Sequence, residues 1–427
     1  MLEIKKIKEN PSQIISLLNK RGGDFSSLIK TVLTLDKERI EKQKKLDSIL
    51  EESNNIATKI GELAKKNDRE AMTALKEKAI ILKTKSKNLI QQNKEQQTKI
   101  HEVLIKIPNI THISVPQGNS EKDNKLIMSW EDSPNDNYNS SNKLLPHWEL
   151  AKKYDIIDFE LGAKITGSGF PLYKGMGAQL QRGLINFFLD YNINAGYTEY
   201  IPPYLVNEKT AFNTGQLPDK EGMMYHINDD NLYIIPTAEV PITNIFAKKR
   251  FQSTDLPIKC TAYSPCFRRE AGSYGKEVRG LNRLHQFDKV EIVQICNPKD
   301  SYKILDEMVT HVSELLKKLD LQFKIVQLCA GDLGFTSALT YDFEVYAPAQ
   351  KKWLEVSSVS NFETYQANRL QLKCYNNDNM QFCHTLNGSS LALPRIMAAI
   401  LEKNQKENKI VLPKILQKYM NFNEITL

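Results

Sequence analysis

Between Asp24 and Ile107 the chain has no proline and a single glycine, Gly61. A stretch of this length without a breaker, carrying apolar residues at alternating spacings of three and four, predicts two long helices. In the first half Leu35, Leu46, Ile49, Ile56, Ile60 and Leu63 keep that spacing, with Arg39, Lys42 and Ser53 filling gaps in the register. In the second half Met72, Leu75, Ala79, Leu82, Leu89, Ile100, Val103 and Ile107 do the same. The polar run Lys65–Asp68 separates the two registers, so an antiparallel two-helix coiled-coil hairpin tipped there pairs both seams within one chain. At 1.5 Å per residue such an arm reaches roughly 55 Å. The alternative use of heptads is an oligomerisation coiled coil.

The charge on the arm is uneven. From Lys76 to Lys106 the second helix carries Lys76, Lys78, Lys83, Lys85, Lys87, Lys94, Lys99 and Lys106 against Glu77, Glu95 and Glu102 only. An elongated rod with one cationic side suits a phosphate backbone. The chain as a whole, 427 residues with a formal net charge of +7 and 41% hydrophobic content, is large enough for this arm and a second, larger domain.

Asn119 to Leu145 is polar and ends at Pro146. The expected division is therefore an arm over 1–112, a linker over 113–145 and a second domain over 146–427. Past that boundary, Met176–Tyr191 shows helical spacing, and GYTEYIPPYL (196–205) reads as a turn, a strand and a double-proline stop. The remainder alternates short β-rich runs, LYIIPT, DKVEIVQI, FKIVQL, DFEVYA and KWLEVSSV, with a helix over Tyr302–Leu319, which favours a mostly antiparallel sheet flanked by helices and an α+β class. No apolar run follows the charged start MLEIKKIKENP, so no signal peptide or membrane anchor is expected. The six cysteines form no CxxC pair and lack zinc spacing, which fits reduced core thiols in a cytoplasmic enzyme. There is no phosphate-binding G-x-x-x-x-G-K-[ST] loop; GSYGKE lacks the first glycine and has Glu after Lys.

FRREAGSYGKEVRGLNRLHQFDKVEI, Phe267 to Ile292, sets cations and an aromatic ring on two strand-like arms joined by a Gly-rich loop. Arg268 and Arg269 close the first arm, and Arg283, His285 and Phe287 open the second. A bidentate Arg matches phosphate and a ring stacks on a base, so this hairpin reads as a nucleotide site.

The order FRRE, loop, RLHQFDKVE resembles motif 2 of the class II aminoacyl-tRNA synthetases, and its wording is closest to the bacterial-type seryl-tRNA synthetase family. GYTEYIPPYL with its preceding helix is similar to motif 1, and NGSSLALPR followed by IMAAILEK to motif 3. TAE (237–239), EVSS (355–358), SNFETYQANR and the arm extend the resemblance over essentially the whole chain. It implies a class II catalytic domain that activates L-serine with ATP to seryl-adenylate and transfers serine to tRNA(Ser); the family also charges selenocysteine tRNA with serine.

By that resemblance Arg268, Arg283 and Arg395 are the catalytic cations, Arg268 bridging the α-phosphate and the serine carboxylate. ATP is expected on Arg268, Arg269, Glu270, Arg283, Phe287, Glu355, Val356, Ser357, Ser358 and Arg395, with adenine stacked on Phe287 and its amino group on Glu270. Mg²⁺ is expected on Glu355 and Ser358. Serine is expected on Thr237, Ala238, Glu239, Arg268, Glu291 and Ser389, with Glu239 and Thr237 serving the ammonium and Glu291 and Ser389 the hydroxyl. Lys76, Lys78, Lys83, Lys85 and Lys87 are expected to meet the long variable arm of tRNA(Ser), and motif 1 to make a homodimer. The loop Gly272–Arg279 is expected to order on binding. Ser390 stands where the family usually has Gly. Three other readings stay open: a different class II enzyme such as a prolyl or threonyl synthetase, an RNA-binding paralogue without charging, and a ligase that loads a carrier protein.

Overall fold

The computed structural model describes residues 1–131, 144–219, 221–270, 279–377 and 379–427. The chain divides into two compact units, one of residues 1–19 with 23–108 and one of residues 20–22 with 109–427.

The first unit is the helical hairpin. Helix α1 spans Ser26–Lys66 and α2 spans Arg69–Leu104. The turn falls inside the polar run: Asn67 takes the left-handed conformation at φ 57° and closes α1, and the Asp68 side chain accepts from the Ala71 N–H to cap α2. Ile29, Val32, Leu46 and Ile56 of α1 are buried, as are Leu82, Ile100 and Leu104 of α2. Polar side chains fix the register where the seam lacks apolar ones. Lys42 Nζ donates to Gln96 Oε1 at 3.0 Å, Gln96 Nε2 donates to the Leu35 carbonyl at 3.1 Å, and Asn93 Nδ2 donates to Gln43 Oε1 at 3.2 Å. These bonds join residues from opposite ends of the two helices, so the pair is antiparallel and closes within one chain. Lys76, Lys78, Lys83, Lys85 and Lys87 are all exposed. Lys78 is paired with Glu52 at 2.7 Å across the hairpin.

The second unit is built on an eight-stranded sheet. In chain order its elements are β1 (Lys125–Trp130), helix α3 (Gly175–Asn194), β2 (Thr198–Glu199), β3 (Ile258–Phe267), β4 (Gln286–Cys296), helix α4 (Ser301–Lys318), β5 (Phe323–Gln327), β6 (Leu339–Ala347), β7 (Lys352–Asn361), β8 (His384–Ala392) and helix α5 (Leu393–Lys403). The strand order is β1-β5-β6-β7-β8-β4-β3-β2. Every neighbouring pair is antiparallel except β2 with β3. The segment 113–145 therefore includes an edge strand of the sheet, while 132–143 lie outside the described residues.

Side chains alternate across β4 as a strand with two different faces requires. Val290 and Ile292 enter the main core with Leu180, Leu184 and Phe188 of α3, Met308 and Val312 of α4, and Ile396, Met397 and Ile400 of α5. Phe287, Lys289 and Glu291 point the other way and line a cavity. The six cysteines are all buried and free. Among the described residues no helix is long and apolar enough to cross a membrane.

Candidate active site

The cavity, about 460 Å³, is lined by β4, β7, β8, the residues that follow β3 and the start of α5. It gathers most of the expected residues: Thr237, Glu239, Arg268, Glu270, Arg283, Phe287, Glu291, Glu355, Val356, Ser357, Ser358, Ser389 and Arg395 all line it. Two do not. Ala238 is fully buried in a separate apolar cluster, and Arg269 contributes a backbone N–H to the Met223 carbonyl at 3.0 Å. The five arm lysines belong to the other unit. Of the loop Gly272–Arg279, residues 272–278 lie outside the described residues.

The hairpin β3–β4 forms in register, with Phe267 opposite Gln286 and Cys266 opposite Phe287. Arg268 therefore leaves the strand end beside Phe287, and its guanidinium sits 5.2 Å from that ring's centroid. The Arg268 backbone is held from the second arm, its N–H donating to the His285 carbonyl at 2.9 Å. Glu270, at φ 49°, meets Arg283 Nε through its carboxylate. The carboxylate expected to receive an adenine amino group thus pairs with Arg283.

Arg395 follows Pro394 at the first turn of α5, which fixes its backbone. Its Nε donates to the Asn282 carbonyl at 2.9 Å and its Nη1 to the Glu355 carbonyl at 2.6 Å. It therefore ties α5 to both the second hairpin arm and β7. Ser357 Oγ donates to the Ser389 carbonyl at 2.6 Å, joining β7 to β8. Ser390 is fully buried and turned away from the cavity, donating to Asn192 Oδ1 of α3 at 2.9 Å. Its hydroxyl thus has a partner outside the cavity.

One end of the cavity holds two buried carboxylates. Thr237 Oγ1 donates to Glu291 Oε2 at 3.2 Å, and Gln366 Nε2 donates to Glu239 Oε1 at 2.7 Å. Lys289 Nζ lies 2.5 Å from Glu291 Oε2. Burial, then the Glu291 charge, pushes the Glu239 carboxyl up to about 7. Burial also raises Glu291, against the pull of Lys289. Such an end suits a small ligand carrying an ammonium and a hydrogen-bonding group. Lys289 and Gln366 were not among the expected site residues, although DKVEIVQI and SNFETYQANR contain them. Lys289 shares the face of Glu291 by the two-residue period of the strand, a signal the sequence held, whereas Gln366 meets Glu239 from 127 residues away.

Glu355 and Ser358 of β7 add oxygen donors to the lining. Ser358 Oγ donates to Glu355 Oε1 at 3.3 Å, and Asp342, opposite Ser358 in the β6–β7 register, keeps a buried Oδ1 without a hydrogen-bond partner. Burial first, then Glu355, pushes the Asp342 carboxyl well above the ordinary range. Hard oxygen donors of this kind fit Mg²⁺. Among the described residues no cluster of three His, Cys, Asp or Glu side chains could hold a metal alone, so an ion here would draw further ligands from a bound phosphate or water.

The sequence and the fold are similar to those of known proteins over the length of the chain. The tRNA synthetase class II core domain (G, H, P, S and T) matches residues 224–404, and the seryl-tRNA synthetase N-terminal domain matches residues 1–111. The serine–tRNA ligase of Salinibacter ruber is 43% identical over 100% of this chain and 99% of its own. That of Thermodesulfovibrio yellowstonii is 41% identical over 100% of both. A solved seryl-tRNA synthetase from Pyrococcus horikoshii, in complex with ATP, superposes with a TM-score of 0.91 at 34% identity, covering 100% of this chain and 99% of that one. With full-length relatives above 40% identity and both domains matched, the chain belongs to the seryl-tRNA synthetase family.

Proposed function

We propose that the cavity over β4, β7 and β8 is where ATP and L-serine combine to seryl-adenylate, from which serine passes to tRNA(Ser). The enzyme is a serine–tRNA ligase, as its full-length relatives are. The observation that carries the assignment of the site is the convergence of Arg268, Arg283 and Arg395 with the buried Glu239–Glu291 end in one cavity.

Activation brings a carboxylate onto the α-phosphate of ATP, forming a carboxyl–phosphate bond as the bond to pyrophosphate breaks. Two anions must meet, so positioning and charge neutralisation dominate. Arg268, pinned beside Phe287, can present a planar fork to both at once, which Lys cannot do. Phe287 offers adenine a stacking face. Arg283 and Arg395 hold the bent polyphosphate, and Arg283 exchanges its partner Glu270 for phosphate, freeing that carboxylate for the adenine amino group. Glu355 and Ser358 would hold Mg²⁺, which when bound neutralises charge on the polyphosphate.

Glu239 and Thr237 receive the serine ammonium, and Glu291 with Ser389 the hydroxyl. A site with hydrogen-bonding groups waiting for a hydroxyl rejects alanine, because those groups would stay buried and unpaired. In the second step a ribose hydroxyl at the tRNA 3′ end attacks the adenylate carbonyl and AMP leaves. The lysine face of α2 recognises the tRNA backbone by shape, a homodimer forms through the motif 1 region, and the enzyme works in the cytoplasm with its tRNA.

The test is amino-acid-dependent pyrophosphate exchange across several amino acids, followed by transfer of labelled serine to tRNA. Serine-specific exchange with transfer is expected. Exchange without transfer would indicate a carrier-loading ligase, and no exchange a binding protein.

A further inference from the structure

Behind the phosphate end of the cavity lies a buried polar cluster that the reaction as described does not use. His147, at the start of a short helix, and Glu402, near the end of α5, are both fully buried. His147 Nε2 accepts the Leu281 backbone N–H at 2.8 Å, and His147 Nδ1 lies 2.8 Å from Glu402 Oε1. A backbone N–H aimed at Nε2 requires a lone pair there, so the ring hydrogen is on Nδ1 and donates to the carboxylate.

Glu402 is held in turn. The His147 N–H and Gln350 Nε2 also donate to Oε1, at 3.0 and 2.8 Å, and the Ala349 and Gln350 N–H groups donate to Oε2, at 3.1 and 3.3 Å. Gln350 Oε1 accepts from Asn282 Nδ2 at 2.8 Å. The cluster thus grips the second arm of the hairpin twice, at the Leu281 backbone and at the Asn282 side chain. The Asn282 carbonyl is the acceptor of Arg395 Nε, and Arg283 is the next residue. Gly280 makes the grip possible: at φ 69°, a Cβ there would lie 2.3 Å from His147 Nε2.

We propose that His147 is a positioning residue for the ATP end of the site: oriented by Glu402, its Nε2 fixes the Leu281–Arg283 backbone so that Arg283 and Arg395 stand preformed for the polyphosphate. His147 does not line the cavity, and it acts on ATP rather than on serine because both contacts of the cluster fall on Leu281 and Asn282, beside Arg283 and at the acceptor of Arg395. This rests on the assignment of Arg283 and Arg395 to ATP made above.

The experiment compares His147→Asn, which keeps a donor near Nδ1 but loses the acceptor toward Leu281, with His147→Gln, whose side-chain amide oxygen can reach the Nε2 position. Serine-dependent pyrophosphate exchange and calorimetric ATP titration are measured beside thermal melting. For H147N we expect the KM and Kd for ATP to rise roughly tenfold, the order of one lost buried hydrogen bond, with the KM for serine within twofold of the parent; H147Q recovers most of the ATP affinity. If H147N is not recovered folded, Glu402→Gln reads the same device by removing the charge that fixes the tautomer, and its ATP KM is expected to rise in the same direction. Unchanged ATP affinity in folded H147N or E402Q, or equal losses in H147N and H147Q, would overturn the proposal. Arg395→Ala is run in parallel: if it too leaves ATP binding intact, the ATP assignment itself fails, whereas weakening by R395A without weakening by H147N defeats only the role of His147.

Discussion

Lys289→Met probes the electrostatic design of the serine end. The Lys289 side chain is 8% exposed and the Glu291 side chain 1%, with 2.5 Å between Nζ and Oε2. Glu239 shares the same buried end, its carboxyl already pushed up to about 7 by burial and by Glu291. Removing one partner of a buried pair costs about 3–5 kcal/mol, because the other charge is left without compensation. Protonation relieves that loss. Carboxyls whose folded pKa lies above the unfolded value bind more protons in the native state, so stability is greatest below the unfolded value and declines as pH rises through the folded one. In the parent protein the Glu239 displacement from 4.5 to about 7 corresponds to roughly 3 kcal/mol lost over that window. In K289M both carboxyls move further up, so the deficit relative to the parent should be about 3–5 kcal/mol near pH 8.5 and clearly smaller near pH 6. Denaturant unfolding followed by tryptophan fluorescence reports this unit alone, because Trp130, Trp148 and Trp353 all lie in it. A deficit equal at both pH values, or none, would show that Lys289 does not hold these carboxylates ionised.

Phe287→Ala should raise the KM for ATP in the exchange assay by roughly 10- to 100-fold, the range of one base–aromatic stack, while the serine KM moves little. Glu291→Ala should narrow the preference for serine over alanine in exchange; normal discrimination by this variant would remove Glu291 from hydroxyl recognition. Replacing Lys83, Lys85 and Lys87 together by Glu should raise the KM for tRNA and flatten the salt dependence of charging, while leaving pyrophosphate exchange unchanged. Equal loss in exchange and charging would place the effect elsewhere than in tRNA binding.

The arm was legible because its signal is local and repeated. Absence of breakers, two apolar registers and a polar tip each constrain a single segment, and the turn falls at Asn67–Asp68 within the run Lys65–Asp68. The hairpin β3–β4 was legible in the same way, its two strands pairing in register. Strand β1 was not, because it pairs with Phe323–Gln327, far along the chain, and its flanks read as polar linker. Gln366 and Lys289 gain meaning only once Glu239 and Glu291 are buried together, and the Glu270–Arg283 pair depends on the conformation at φ 49°. The His147–Glu402 cluster joins residues 255 apart in the chain, a separation at which charge and spacing patterns carry no information.

Activation at this site turns on one guanidinium serving both reacting anions. In a crystal soaked with a non-hydrolysable seryl-adenylate analogue, the Arg268 guanidinium is expected within hydrogen-bonding distance of both the phosphate-equivalent and acyl oxygens of the ligand. An Arg268 side chain turned outward, with neither oxygen in reach, would contradict it.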